Sequence, residues 1–331
     1  MRNSLVLVVL VLLAGLVAAG TPFVGMERIP LKTLWDTSDS TAAMILWQLR
    51  IPRVLMALVA GAGLAASGLA FQAVFRNPLA EPFTLGVASG AALGASIYIH
   101  LGLPFSLLCI SGSSWFAFAG ALLAITLVYG MTRVRQGFST ATMLLAGVAV
   151  SFSFSSLILF IQYLSDFTQS FVLLRWVMGG LHGVVGFREV LTVLPLVAAG
   201  VAIVLYLTHE LNLVTTGEEL AASRGVAVNQ TKTVLFVAVS LMVGGIVSAC
   251  GPIGFVGLIV PHICRLLVGP DHRWLTPATL LCGAILLAAC DTLARTLMAP
   301  TELAVGILTA LLGGPFFLWL LLGRASQVET V

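Results

Sequence analysis

The chain has 331 residues, 59% of them hydrophobic and only 9% charged, with a net charge of +3 and a mean hydropathy of +1.09. A soluble domain is about 25% charged, so this composition excludes one and indicates a membrane protein. The lysines and arginines are dispersed, with no tail or patch, which leaves no nucleic-acid signal. Cys109, Cys250, Cys264, Cys282 and Cys290 have no CxxC spacing and fall in or beside apolar stretches, so they read as small core hydrophobes and not as metal ligands or disulfides.

Crossing about 30 Å of hydrocarbon takes roughly 17 to 25 helical residues. Ten apolar runs are candidates, at about 4–25, 52–75, 83–101, 115–132, 142–164, 190–208, 233–250, 252–268, 275–294 and 303–322. The first, with Arg2 ahead of it and LVAAG near its end, also resembles a secretory signal peptide. Its length and the spans behind it argue for retention. The eighth is broken by Pro252 and Pro261. Residues 175–187, RWVMGGLHGVVGF, are too short and glycine-rich to cross, so a short interfacial helix is expected there, within a periplasmic interfacial segment at about 165–189.

An inner N-terminus and ten crossings put Arg2, Arg76, Arg133, Arg135, Arg224, Lys232, Arg265, Arg273 and Arg324 inside. Arg28, Lys32, Arg50, Arg53, Arg175, Arg188 and Arg295 then lie outside, a small excess in the expected direction. Arg50 and Arg53 stand out, because two cations at one outer end run against the positive-inside tendency; Pro52 between them suits the first turn of a helix. Spacing alone leaves them two fates, contact with carboxylates or snorkelling to lipid headgroups.

The second run carries GAGLAASGLAFQ, with Gly63 and Ser67 four apart; Gly86, Gly90 and Gly94 repeat that spacing in the third. Small residues on one face permit close helix packing, and so slender a segment could also line a passage. Between these runs lies FRNPLAEPFTLG, residues 75–86, where Arg76, Asn77 and Glu81 keep company with Pro78 and Pro82.

Lys32 and Lys232 follow Leu31 and Thr231, so the chain has no GxxxxGK[ST] phosphate loop and does not bind ATP in the usual way. No set of Asp, Glu or Lys deep in a span is apparent: Asp291 and Glu302 fall near segment ends, and His262 reads as a hydrogen-bonded core or interface histidine. Uphill transport would therefore draw energy from another subunit. The long polar segment 208–232 offers a socket for one. Its TTGEELAASRGV reads as a short helix capped by Thr215 or Thr216, with Glu218 and Glu219 in the first turn and Gly225 ending it.

LWQLRIPRVLMALVAGAGLAASGLAFQAVFRNPLAEPFTLGVASGA, LLAGVAV, GPIGFVGLIVPHICRLLVGPDHRWLTP and ELAVGILTALLGGPFFLWLLL closely resemble the FecCD or BtuC-like permeases of ATP-binding-cassette (ABC) importers for iron-siderophores, haem and vitamin B12, over about Trp47 to Leu322. The resemblance implies an all-α integral membrane protein of about ten transmembrane helices with the BtuC-like (type II) permease fold, one permease domain over 1–331. It further implies a multi-pass protein of the bacterial inner membrane acting as a homodimer, with two cytoplasmic ATPase subunits that bind the ATP, a periplasmic or extracellular substrate-binding protein, surrounding lipid, and no cofactor or catalytic chemistry of its own.

At residue level, it implies that Arg50, Arg53 and Arg295 receive acidic groups of the binding protein, and that Thr216, Gly217, Glu218, Glu219, Ala222, Arg224 and Gly225 belong to the segment docking on the ATPase. Asn77, Pro78 and Leu79 with Thr140 and Ala141 would close the cytoplasmic end; Ala141 departs from the small polar residue of the pattern. FRNPLAEP then reads as the inner turn after the second span, where non-helical backbone is permitted at a water-accessible gate. The competing classes are an ion-coupled secondary transporter, which needs an ionisable residue deep in a span, and a structural or assembly membrane protein. The sequence names no cargo; iron chelates are the expected class, cobalamin the next.

Overall fold

The structure, a computed structural model, describes residues 2–27, 29–35, 40–103, 105–107, 110–134 and 140–328. Arg28, Arg135 and Cys109 lie outside the described residues. Each of the ten apolar runs contains a helix. α1 (Arg2–Gly20) is followed by irregular chain and by α2 (Ser40–Met44), which continues through a π-helical turn (Ile45–Arg50) into α3 (Ile51–Val74). Next come α4 (Val87–Leu101), a two-stranded antiparallel ribbon pairing Ser106 with Ser111, α5 (Gly112–Val134), α6 (Thr140–Leu164), α7 (Phe167–Val177) and α8 (Arg188–Tyr206). α9 (Thr208–Thr216) and α10 (Glu218–Ser223) interrupt the apolar pattern before α11 (Val228–Cys250), α12 (Val256–Val268), α13 (His272–Thr296) and α14 (Val305–Val328).

Among the described residues, seven helices are long and apolar enough to cross a membrane, while α4, α12 and the apolar part of α14, Val305–Leu318, are shorter. The short α12 has an instructive cause. Pro261 sits inside the helix, so it does not break the run; the break is at residues 251–254, where Gly251 has a positive φ and the chain is non-helical.

α3 and α11 form the centre. Of their apolar windows 78% and 72% is buried, against 11% for α1 and 22% for α6, which therefore turn most of their apolar surface outward, as lipid-facing helices do. The slender face of α3 is spent on packing and not on a passage through the chain. A Cβ at Gly61 would overlap the Gly283 carbonyl of α13, and one at Gly68 would overlap the Gly257 backbone of α12. The Ser67 hydroxyl donates to the Gly63 carbonyl at 2.7 Å within the same helix. Gly90 and Gly94 likewise meet the backbone of α5 at Gly120 and Phe116, whereas Gly86 lies one residue ahead of α4, in the left-handed region.

The short helix lies in the first half of the 165–189 segment and not at 175–187. α7 precedes most of the 175–187 stretch, begun by Asp166 and Gln169 in a reciprocal capping box, and Gly179 and Gly186 take positive φ in the irregular chain beyond it. The described cysteines are free, and Cys250, Cys264 and Cys290 are buried, as small core hydrophobes should be.

Backbone contact between α3 and α13 generates a direct test. Gly61→Val should destabilise the detergent-solubilised protein by about 1–3 kcal/mol or more, whereas Gly15→Val, whose Cβ meets nothing within 4 Å, should leave thermal unfolding nearly unchanged. Equal melting temperatures for the two variants would refute the close packing.

Candidate functional site

Three groups of polar residues lie at helix ends and breaks. The first gathers where α3 and α14 begin and α13 ends. Arg53 donates from Nε to both carboxylate oxygens of Asp291, at 2.9 and 3.2 Å, and from Nη1 to Glu302 Oε2 at 2.7 Å. Asp291 also faces Arg295, Oδ2 to Nε at 3.1 Å, an ion pair by distance without the alignment of a hydrogen bond. Arg50 donates to the carbonyls of Pro22 (3.2 Å) and Glu27 (2.8 Å), tying down the chain after α1.

All three arginines are buried, because the chain supplies its own acceptors. They line, with Glu27, His182 and Glu302, one cavity of about 420 Å³. Snorkelling is thereby answered: these side chains end on carbonyls and carboxylates of this protein. Burial holds the His182 imidazole below its ordinary value, assisted by the charges of Arg175 and Arg53.

The second group is the α9–α10 segment. Its N-terminal cap is Gly217, at φ 147°, and not a threonine; the Thr215 and Thr216 hydroxyls belong to α9 and donate back to the Asn212 and Leu213 carbonyls. Glu218 and Glu219 occupy the first turn as expected. The helix closes on Gly225 (φ 86°), with Val226 N donating to Ala221 O and Gly225 N to Ala222 O, the paired bonds of a Schellman motif.

Two anchors hold this segment. Lys232, almost wholly buried in α11, pairs with Glu218 Oε1 at 2.7 Å. Asn212 accepts the His272 amide at 2.9 Å and donates to Asp271 Oδ1 at 2.8 Å, binding α9 to the start of α13. The Arg273 amide, chief among the donors to it, holds the Asp271 carboxyl below its ordinary value. Leu213, Val214 and Ala221 form a small core beneath. Left exposed are Thr216, Glu219, Leu220, Ala222, Arg224 and Gly225, a continuous outward face.

The third group is residues 75–86. Arg76 takes φ 48°, Asn77 Oδ1 accepts the Leu79 amide at 3.0 Å, and the Ala80 amide donates to Asn77 O, so Asn77, Pro78 and Leu79 form a tight, half-buried turn. Ala141 is exposed in the first turn of α6; the side chain of Thr140 lies outside the described residues. Among the described residues no hydrogen bond joins Ala141 to the turn.

Glu81 has the role that sequence reasoning missed. Its Oε1 accepts the amide of Phe255, the residue at φ 67° that starts α12, at 2.9 Å. Gln72 Nε2 donates to Gly257 O at 3.1 Å beside it. Burial pushes the Glu81 carboxyl up to about 7, the Phe255 amide only partly offsetting it. The usable signal was an acidic residue bracketed by prolines in an apolar chain. Asp291 and Lys232 were missed as well, since position near a span end gave no hint of their burial; each has an ionic partner within the chain.

Comparison with known proteins bears on what these groups do. The model of the FecCD transport family matches residues 6–323. The hemin transport system permease protein HmuU of Yersinia pestis is 41% identical, covering 98% of each chain. The cobalamin import system permease protein BtuC of Halobacterium salinarum is 41% identical over 93% of this chain and 81% of its own. The iron(3+)-hydroxamate import system permease protein FhuG of Bacillus subtilis is 33% identical over 88% and 89%. A solved chain described as an inward-facing conformation of a metal-chelate type ABC transporter superposes with a TM-score of 0.84 at 33% identity, over 94% of this chain and 96% of that one.

The Glu81 contact yields a prediction with a defined sign. A carboxyl whose folded value lies near 7, above the ordinary 4.5, retains a proton that the unfolded chain loses between those values. Stability therefore falls as pH rises through that window. Glu81→Gln keeps an acceptor for the Phe255 amide and should flatten the fall; Glu81→Ala leaves that amide unpaired and should cost about 1–3 kcal/mol. Thermal unfolding in detergent across the window checks both, and a Glu81→Gln profile parallel to wild type would refute the assignment.

Proposed function

The chain belongs to the FecCD transport family, and from that premise we propose that it works as the homodimeric permease of an ABC importer for iron chelates, haem included. It is a multi-pass membrane permease subunit and a transport component. The observation that carries the finer reading is the pairing of two sites at opposite ends of one helical body: a cavity ringed by arginines, and a capped helix with an outward face rigidly anchored beneath.

In this reading a loaded substrate-binding protein docks on the end bearing Arg50, Arg53 and Arg295. Two ATPase subunits seat on the outward face of α10, where Thr216, Gly217, Glu219, Ala222, Arg224 and Gly225 meet them, while Glu218 braces the helix from within through Lys232. ATP-driven closure of those subunits shifts α9 and α10, and the turn at Asn77, Pro78 and Leu79, with Thr140 and Ala141, opens or closes the inner end of a path between the two permease copies. No bond of the cargo is made or broken. The HmuU relative supports haem within the iron-chelate class; the BtuC relative, equally identical over less of its length, supports cobalamin as a second reading.

The assembled transporter in proteoliposomes provides the test. ATP-dependent uptake should be found for an iron chelate, with haemin tried first, and uptake of cobalamin alone would reverse the cargo assignment. Ala222→Trp, an exposed position in the proposed ATPase contact, should reduce uptake at least about tenfold, equivalent to about 1.4 kcal/mol of lost coupling, with the permease still folded and dimeric. Undiminished uptake by that variant would remove α10 from the contact.

A further inference from the structure

The arginine cavity contains its own occupant. Arg50, Arg53 and Arg295 are matched in number by Glu27 and Glu302 of the lining and by Asp291, which pairs with Arg53 and Arg295 behind it, so much of their positive charge is already offset while the dock is empty. The two carboxylates on Arg53 differ sharply. Asp291 has 1% of its side chain exposed and serves two guanidinium groups, whereas Glu302 has 43% exposed and touches Arg53 through one oxygen. Releasing Asp291 would strand a buried charge. Releasing Glu302 returns a carboxylate to water that it already half reaches, and a half-exposed pair gains little from its contact.

We propose that Glu302 is an exchangeable placeholder, holding Arg53 until a carboxylate of the docking protein displaces it. The proposal rests on the docking reading above and adds its regulation. The placeholder has two physical effects. It keeps the Nη1 edge of a buried guanidinium paired while the site is empty, and it cancels part of the field that would draw acidic surfaces in. Encounter is thereby slowed and made conditional on a partner whose carboxylate is placed to complete the exchange, a form of discrimination against polyanions that bring charge without geometry. Arg53 is suited to the handover, because its Nε edge stays with Asp291 throughout while the other edge changes partner.

The experiment is the association rate of the system's substrate-binding protein with the assembled transporter in nanodiscs, for wild type and Glu302→Gln, across ionic strength. Glu302→Gln is nearly isosteric at a half-exposed site, and its melting temperature verifies the fold. Association should be roughly two- to fivefold faster than wild type at about 20 mM salt, with a steeper salt dependence and convergence near 0.5 M. Equal or slower association of the folded variant at low salt, with wild type still salt-sensitive, overturns the placeholder and leaves the docking site standing. A wild-type rate indifferent to salt overturns the docking site itself.

Discussion

Backbone-to-backbone contact along α3 is the constraint on which the other features rest. Gly61 against Gly283 and Gly68 against Gly257 bring α13 and α12 close enough that a methyl group could not stand between them. In a membrane, helices gain nothing from hiding apolar surface from lipid, so van der Waals contact at small residues has to supply the association. The same approach fixes the polar groups at both ends. Arg53 in the first turn of α3 is delivered to Asp291 near the end of α13, and Gln72 in the last turn is delivered to Gly257 at the start of α12.

Two interruptions of regular helix are then met by polar side chains. The amide of Phe255, stranded where α11 has ended and α12 has not begun, finds Glu81; the amides opening α13 find Asn212 and Asp271. Buried unpaired amides are expensive, so these polar residues are a consequence of breaking the helices where they break. Ionic groups follow a related logic. Asp291 and Lys232 are buried and paired, and losing either partner would strand a charge, whereas Glu302 and Glu218 are the half-exposed members of their pairs.

What was legible in the sequence was whatever depends on local pattern. Each apolar run located a helix, and the glycine ending α10 is legible from its position alone. The four-residue spacing of Gly90 and Gly94 located their close packing on α5, while the backbone contacts of α3 fall at Gly61 and Gly68 and not at Gly63 and Ser67. What escaped depends on partners far along the chain. That Arg53 meets Asp291, 238 residues away, or Glu81 meets residue 255, 174 residues away, leaves no trace in spacing. Two errors were of another kind. Thr215 and Thr216 were read as caps because the sequence did not reveal that α9 continues through them, which passes the cap to Gly217. Within 165–189 the helix comes earlier than 175–187, because it starts at the capping box of Asp166 and Gln169, which is Asp-based where serine or threonine is the usual signature.

α13 brings these observations together. At 1.5 Å per residue its 25 residues extend about 37 Å, enough to cross the apolar layer without interruption, and Pro277 lies in its second turn, too near the start to divide it. One end carries His272, held to Asn212 and hence to the α9–α10 segment; the other carries Asp291 and Arg295, held to Arg53. Between them Gly283 is locked against Gly61. A displacement at the α9 end therefore cannot be absorbed by a hinge midway along α13 without breaking this backbone contact. Movement of the helix as a unit is the cheaper response, and it would carry Asp291, the fixed partner of Arg53, along with it.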